Sequence, residues 1–116
     1  MPADELPLEV TVEETRTLLD GPVEGRPRLI DCREDDEWRI CRIEGAELVP
    51  LSQFGELAAE RFLDAAAQDV IVYCHHGMRS QRAALWLRQL GVTKARSLRG
   101  GIEAWADQVD PEMARY

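Results

Sequence analysis

Four strand-forming residues in a row, Val70, Ile71, Val72 and Tyr73, run straight into Cys74, His75, His76, Gly77, Met78 and Arg79, and a helical pattern then carries on to Gly91. This order constrains the fold more than any other stretch. An unbroken β-branched and aromatic run, bounded by Asp69 and a glycine-containing loop, predicts a strand buried on both faces. Ala83, Ala84, Leu87 and Leu90 recur at helical spacing, Ser80 is placed to cap the first turn, and Gly91 stops the last. A tight turn between such a strand and helix lets successive backbone N–H groups converge on the space above the Cys74 sulfur. A nest of amides at a helix N-terminus favours negative charge and lowers a thiol pKa. Cys74 is therefore read as an activated nucleophile rather than an ordinary strand-end cysteine, with Arg79 holding the thiolate and donor charge, and Gly77 permitting a backbone angle closed to other residues.

The rest of the chain supplies strands and helices in alternation. Leu8–Val10 is an edge strand, and Thr11-Val12-Glu13-Glu14 is a capping box opening a helix through Leu18 and Leu19. Asp20, Gly21 and Pro22 end that helix. Arg28–Asp31 is the next strand, Glu34–Ile40 a short helix with acidic residues in its first turn, and Glu47–Pro50 a short strand. A further helix starts at Leu51, with Ser52 as a cap, and runs through Leu57, Phe62, Leu63 and Ala65–Ala67. After the helix that follows Cys74 come strand Ala95–Leu98 and a helix bearing Ile102 and Trp105. This alternation predicts an α/β fold with a parallel sheet. Residues 1–7 read as an irregular lead-in, and 1–116 as one domain. In an open α/β sheet ligands gather at the carboxyl ends of the strands, which makes Asp31, Cys32 and Arg33 neighbours of the Cys74 loop. Cys32 is read as a core cysteine rather than a resolving thiol, and Cys41 as incidental.

Four motifs in order carry a family resemblance: Leu29-Ile30-Asp31-Cys32-Arg33-Glu34, with Trp38 after Glu37; Ile43-Glu44-Gly45-Ala46; the Cys74 loop; and Leu98-Arg99-Gly100-Gly101-Ile102-Glu103-Ala104-Trp105. Over residues 8 to 110 the chain resembles a rhodanese-like sulfurtransferase domain. Its last residues, from Gly101 to Tyr116, are similar to the end of the rhodanese domain in adenylyltransferase/sulfurtransferase proteins. Cys41-Arg42 replaces the Gly-His that often precedes the family's Ile-x-Gly-Ala turn. The resemblance implies a five-stranded parallel sheet with helices on both faces, and a sulfane sulfur carried as a persulfide on Cys74. The substrate-binding loop would be His75, His76, Gly77, Met78, Arg79 and Ser80, with Asp31 and Arg33 fixing the surrounding loops. It also implies a small anionic donor such as thiosulfate or a protein persulfide, and a thiophilic acceptor such as a sulfur-carrier protein or a low-molecular-weight thiol. Phosphatases and arsenate reductases of the same fold use a longer Cys-x5-Arg loop. Cys74 to Arg79 is Cys-x4-Arg, which favours sulfur. A noncatalytic binding module is the other alternative, opposed by the intact cysteine loop.

No cofactor beyond the covalent persulfide and no metal are expected. Adjacent Cys74, His75 and His76 in one tight loop seldom converge on a tetrahedral ion, and no fourth ligand has suitable spacing. The two histidines are read as surface groups that tune local charge. Ser80 either donates to the sulfur or caps the helix, and capping is preferred. The formal net charge of −8 argues against nucleic-acid or anionic-membrane partners, although Arg79, Arg82, Arg88, Lys94, Arg96 and Arg99 cluster after the loop. Three cysteines, the absence of a signal-like start and the absence of an eighteen-residue apolar run set the expectation of a cytoplasmic protein.

Overall fold

Val70–Tyr73 forms the middle strand of the sheet, and all four of its residues are fully buried. The computed structural model describes residues 6–64 and 67–116. In chain order the elements are β1 (Glu9–Val10), α1 (Val12–Leu19), β2 (Arg28–Asp31), α2 (Asp35–Ile40), β3 (Glu47–Leu48), a 3-10 turn Leu51–Gln53 leading into α3 (Phe54–Arg61), β4 (Val70–Tyr73), α4 (Met78–Gln89), β5 (Ala95–Leu98) and α5 (Gly101–Gln108). The strands lie in the order β1-β5-β4-β2-β3, each pair parallel. A parallel sheet must be covered on both faces, which is why β4 has no polar alternation. On one face Ile30, Val70, Val72 and Ala95 meet Phe54, Ala58, Ala83, Ala84 and Leu87 of α3 and α4. On the other, Leu29, Ile71, Tyr73 and Leu98 meet Val12 of α1 and Ile102 and Trp105 of α5.

Local chemistry sets most boundaries. Thr11 Oγ1 accepts the Glu14 N–H at 3.0 Å while the Glu14 carboxylate accepts the Thr11 N–H at 3.1 Å, so the capping box forms as the sequence predicts. Helix α3 ends earlier than its apolar pattern suggests. Phe62 leaves the helix to bury its ring against Phe54, with centroids 6.3 Å apart and the Arg28 guanidinium 4.6 Å from its own. Leu63 is left 79% exposed; of the expected continuation through Ala65–Ala67, Ala65 and Ala66 lie outside the described residues and Ala67 lies in a turn rather than a helix. Ser52 does not cap; its hydroxyl donates to Glu34 Oε1 at 2.5 Å and ties the 3-10 turn to the start of α2. Within the expected lead-in, residues 1–5 lie outside the described residues, and the carbonyls of Leu6 and Pro7 accept from the Arg88 guanidinium.

Adjacency of β2 and β4 is what positions the site. The loop after β2 carries Arg33 and the loop after β4 carries Cys74, so both emerge side by side at the carboxyl edge of the sheet.

Candidate active site

Gly77 makes the turn possible. It is the N-cap of α4 at φ +108°, in the left-handed region that disfavours a side chain, and a Cβ there would lie 3.4 Å from Gly100 N. From that conformation its N–H donates to Cys74 Sγ at 3.0 Å, and the Ser80 N–H donates at 3.4 Å. The carbonyls of the same loop face the other way. Cys74 O accepts from Ile102 N–H at 2.8 Å and His75 O from Glu103 N–H at 3.1 Å, both donors being unpaired amides of the first turn of α5. This contact requires Gly101, at φ +62°, because a Cβ would stand 2.5 Å from Cys74 O. The Gly100-Gly101 motif therefore works as a seat that holds the carbonyls of the cysteine loop away from the sulfur and its amides toward it.

Cys74 is 1% exposed, yet its thiol pKa is lowered to about 5. The largest cause is a hydrogen bond from the Cys32 thiol; burial opposes ionisation, and the Ser80 hydroxyl and the amides of Ser80 and Gly77 then favour it. Cys32 shifts the opposite way, its thiol held strongly protonated by its bond to the Cys74 sulfur, by burial and by repulsion from that sulfur's charge. Ser80, buried and 3.5 Å from Sγ, does not cap α4. Its hydroxyl shares a hydrogen bond of 2.7 Å with Ser97 of β5 and reaches the Gly77 carbonyl at 3.1 Å.

Arg79 turns sideways. Its guanidinium makes a two-pronged pair with Glu37 of α2 at 2.7 and 2.9 Å, which holds the Glu37 carboxyl down to about 2. Glu37 also accepts from Tyr116 Oη at 2.8 Å, and that oxygen accepts from Arg33 at 2.9 Å. Arg33 is buried against Asp31, with Nη2 2.7 Å from Oδ2, and gives a further bond to the Cys41 carbonyl at 2.6 Å. A chain of bonds thus runs Asp31, Arg33, Tyr116, Glu37, Arg79 and links the loops after β2 and β4. His75 is stacked between His76 and Tyr116, with centroids 4.0 and 4.1 Å away, and its Nε2 is 3.2 Å from Glu103 Oε2. Ligand atoms of His75, His76 and Glu103 come within 4.8 Å of one another, without Cys74. Met78 and His76 are exposed at the rim.

The structure therefore gathers Cys74, Gly77 and Ser80 at the sulfur, while Arg79, Asp31 and Arg33 form the surrounding frame. Sequence reasoning missed Ser97, Glu37, Glu103 and Tyr116, and undervalued Cys32. Only Cys32 carries a usable signal in the sequence: it follows the strand whose carboxyl end the βα alternation sets beside Cys74.

Comparisons with known proteins agree with the fold. The rhodanese-like domain family model matches residues 11–108. The probable adenylyltransferase/sulfurtransferase MoeZ of Mycobacterium tuberculosis is 40% identical over 110 residues, covering 92% of this chain and 26% of that protein. Maize adenylyltransferase and sulfurtransferase MOCS3-1 is 35% identical over 112 residues, covering 92% and 23%. The chain thus spans about a quarter of the length of these curated relatives. Among solved structures, the human single-domain sulfurtransferase TSTD1 superposes with a TM-score of 0.77 at 28% identity, covering 89% of this chain and 98% of that one. With a family match across most of its length and the same five-stranded fold, the chain belongs to the rhodanese-like domain family, and its relatives include proteins named as sulfurtransferases.

Proposed function

We propose that the protein moves a sulfane sulfur from thiosulfate or a protein persulfide to a thiophilic acceptor, through a persulfide on Cys74. The observation that carries this reading is the Cys74 sulfur itself, met by the Gly77 and Ser80 amides at 3.0 and 3.4 Å and acidified to about pKa 5. At neutral pH such a thiol is a thiolate and attacks the outer sulfur of the donor; the S–S bond of thiosulfate breaks and sulfite leaves with the bonding pair. The new outer sulfur takes the place of an anion at the N-terminus of α4, where loop amides stabilise its charge. An acceptor thiolate or cyanide then attacks that outer sulfur and releases the Cys74 thiolate. The short Cys-x4-Arg loop suits a single sulfur better than a tetrahedral oxyanion, and Arg79, committed to Glu37, shapes the rim rather than clamping an oxyanion.

Turnover tests the proposal. Thiosulfate and cyanide should give thiocyanate, and Cys74→Ser should abolish it while leaving the fold intact by circular dichroism. Thiocyanate formation that survives Cys74→Ser would contradict it.

A further inference from the structure

The pairing of β2 with β4 runs Arg28 to Val70, Leu29 to Ile71, Ile30 to Val72 and Asp31 to Tyr73. Beyond it the Cys32 N–H still donates to the Tyr73 carbonyl, at 3.0 Å. One more step of this register sets Cys32 opposite Cys74, on the same face of the sheet as Ile30 and Val72, and both cysteines belong to that face's core. Neighbouring strands lie about 4.8 Å apart, inside the Cα separation of about 4.4–6.8 Å that a disulfide accepts. Both thiols are free, and Cys32 is fully buried, so no soluble thiol reaches it directly. The loop amides and Ser80 surround the Cys74 sulfur from α4, whereas Cys32 approaches it from β2.

We propose that Cys32 is a resolving thiol, which attacks the inner sulfur of the Cys74 persulfide and expels the outer sulfur as hydrosulfide. This rests on the persulfide reading above. The Cys32 Sγ–Cys74 Sγ bond forms as the bond between Cys74 Sγ and the outer sulfur breaks. The outer sulfur leaves with the electron pair, reduced to the sulfide level, and two thiol-level sulfurs become one disulfide. The Cys32 proton departs with the hydrosulfide. The leaving group sits where the amides and the N-terminus of α4 stabilise an anion, which lowers the cost of its departure. A low-molecular-weight thiol or dithiol then reduces the disulfide and restores both cysteines.

Timing follows from charge. In the resting protein the Cys74 thiolate holds the Cys32 proton in place, because two adjacent buried thiolates repel. Loading moves the negative charge one atom outward to the outer sulfur, and that restraint weakens only then. A persulfide that meets an acceptor first is discharged as sulfane sulfur, and one that meets none is discharged as sulfide.

The test follows the intact mass of the reduced, thiol-free protein with time after a pulse of thiosulfate or, separately, glutathione persulfide, with sulfide measured in parallel. A Cys41→Ser background removes the third cysteine. The expected result is a gain of one sulfur that converts to a loss of two hydrogens relative to the starting protein, with one equivalent of sulfide released per chain. The rate should not depend on protein concentration, and peptide mapping without reductant should show Cys32 joined to Cys74. Cys32→Ala and Cys32→Val, of which at least one should retain the fold, are each expected to keep the sulfur added by thiosulfate, whose leaving group is sulfite rather than a thiol, and to release no sulfide until a thiol is supplied. A persulfide as durable with Cys32 as without it would overturn the proposal, as would a disulfide formed between chains. Failure of every variant to gain sulfur from either donor would overturn the sulfur-transfer reading, and this proposal with it.

Discussion

At the scale of single residues, the chemistry depends on the balance of donors around one sulfur. The Cys74 thiol pKa is lowered from an ordinary value of 9.0 to about 5, so its alkylation by iodoacetamide should rise through a midpoint near pH 5 and be flat by neutrality. A midpoint near 9 would contradict the donor set described here. The sign of the linkage is fixed by the same shift. A depressed pKa stabilises the fold fully above the unfolded value and ceases to do so as pH falls through the folded one, so this contribution fades between pH 9 and 5. Cys32→Ala removes the largest donor and should move the alkylation midpoint upward. Tyr116→Phe removes the hydroxyl that joins Arg33 to Glu37 while keeping the ring on His75. It should cost about 1 kcal/mol in denaturant unfolding, the usual net worth of a hydrogen bond, discounted for partial exposure. Among these residues Cys74 and Gly77 were legible in the sequence, because a strand, a glycine turn and a helix fix their relation locally. Glu37 and Tyr116 were not, since each meets its partner across the fold, 42 and 79 residues away.

At the scale of elements, α5 shapes the cysteine loop through its first turn. Gly101→Ala forces a Cβ onto the Cys74 and His75 carbonyls in a left-handed conformation, and should destabilise by at least about 2 kcal/mol and weaken sulfur loading. Gly91→Ala is the control: its φ is +101° but nothing lies within 4 Å, so it should cost about 1–2 kcal/mol and leave loading unchanged. Equal loss of loading in the two variants would argue that general destabilisation, rather than the seat beneath Cys74, is responsible. Elements with strong local signals, β4, α4 and the capped start of α1, were legible from the sequence. The end of α3 was not, because Phe62 fits the helical period as well as it fits the core position that breaks the helix. Ser80 has the residue type of a cap, and only its closeness to Cys74 and Ser97 gives it a different task.

For the whole molecule, Asp31 and Arg33 are both fully buried and join the end of β2 to the loops around it. Asp31→Ala leaves a buried guanidinium without its carboxylate and should cost about 3–5 kcal/mol in unfolding free energy. Arg39→Ala, which breaks an exposed pair with Asp35, should cost less than about 1 kcal/mol. The parallel sheet and the meeting of the β2 and β4 loops were legible in the alternation of strands and helices. The path by which charge is distributed around the site was not, because it depends on which arginine meets which carboxylate in space. Under the proposed function, this fold holds a sulfane sulfur on Cys74. The most direct test is the mass of the Cys74 peptide within moments of mixing folded protein with thiosulfate at pH 6, and again after cyanide. The account predicts one added sulfur on that peptide, removed by cyanide, at a pH where an ordinary thiol is almost wholly protonated; a folded protein whose Cys74 peptide never gains sulfur would contradict it.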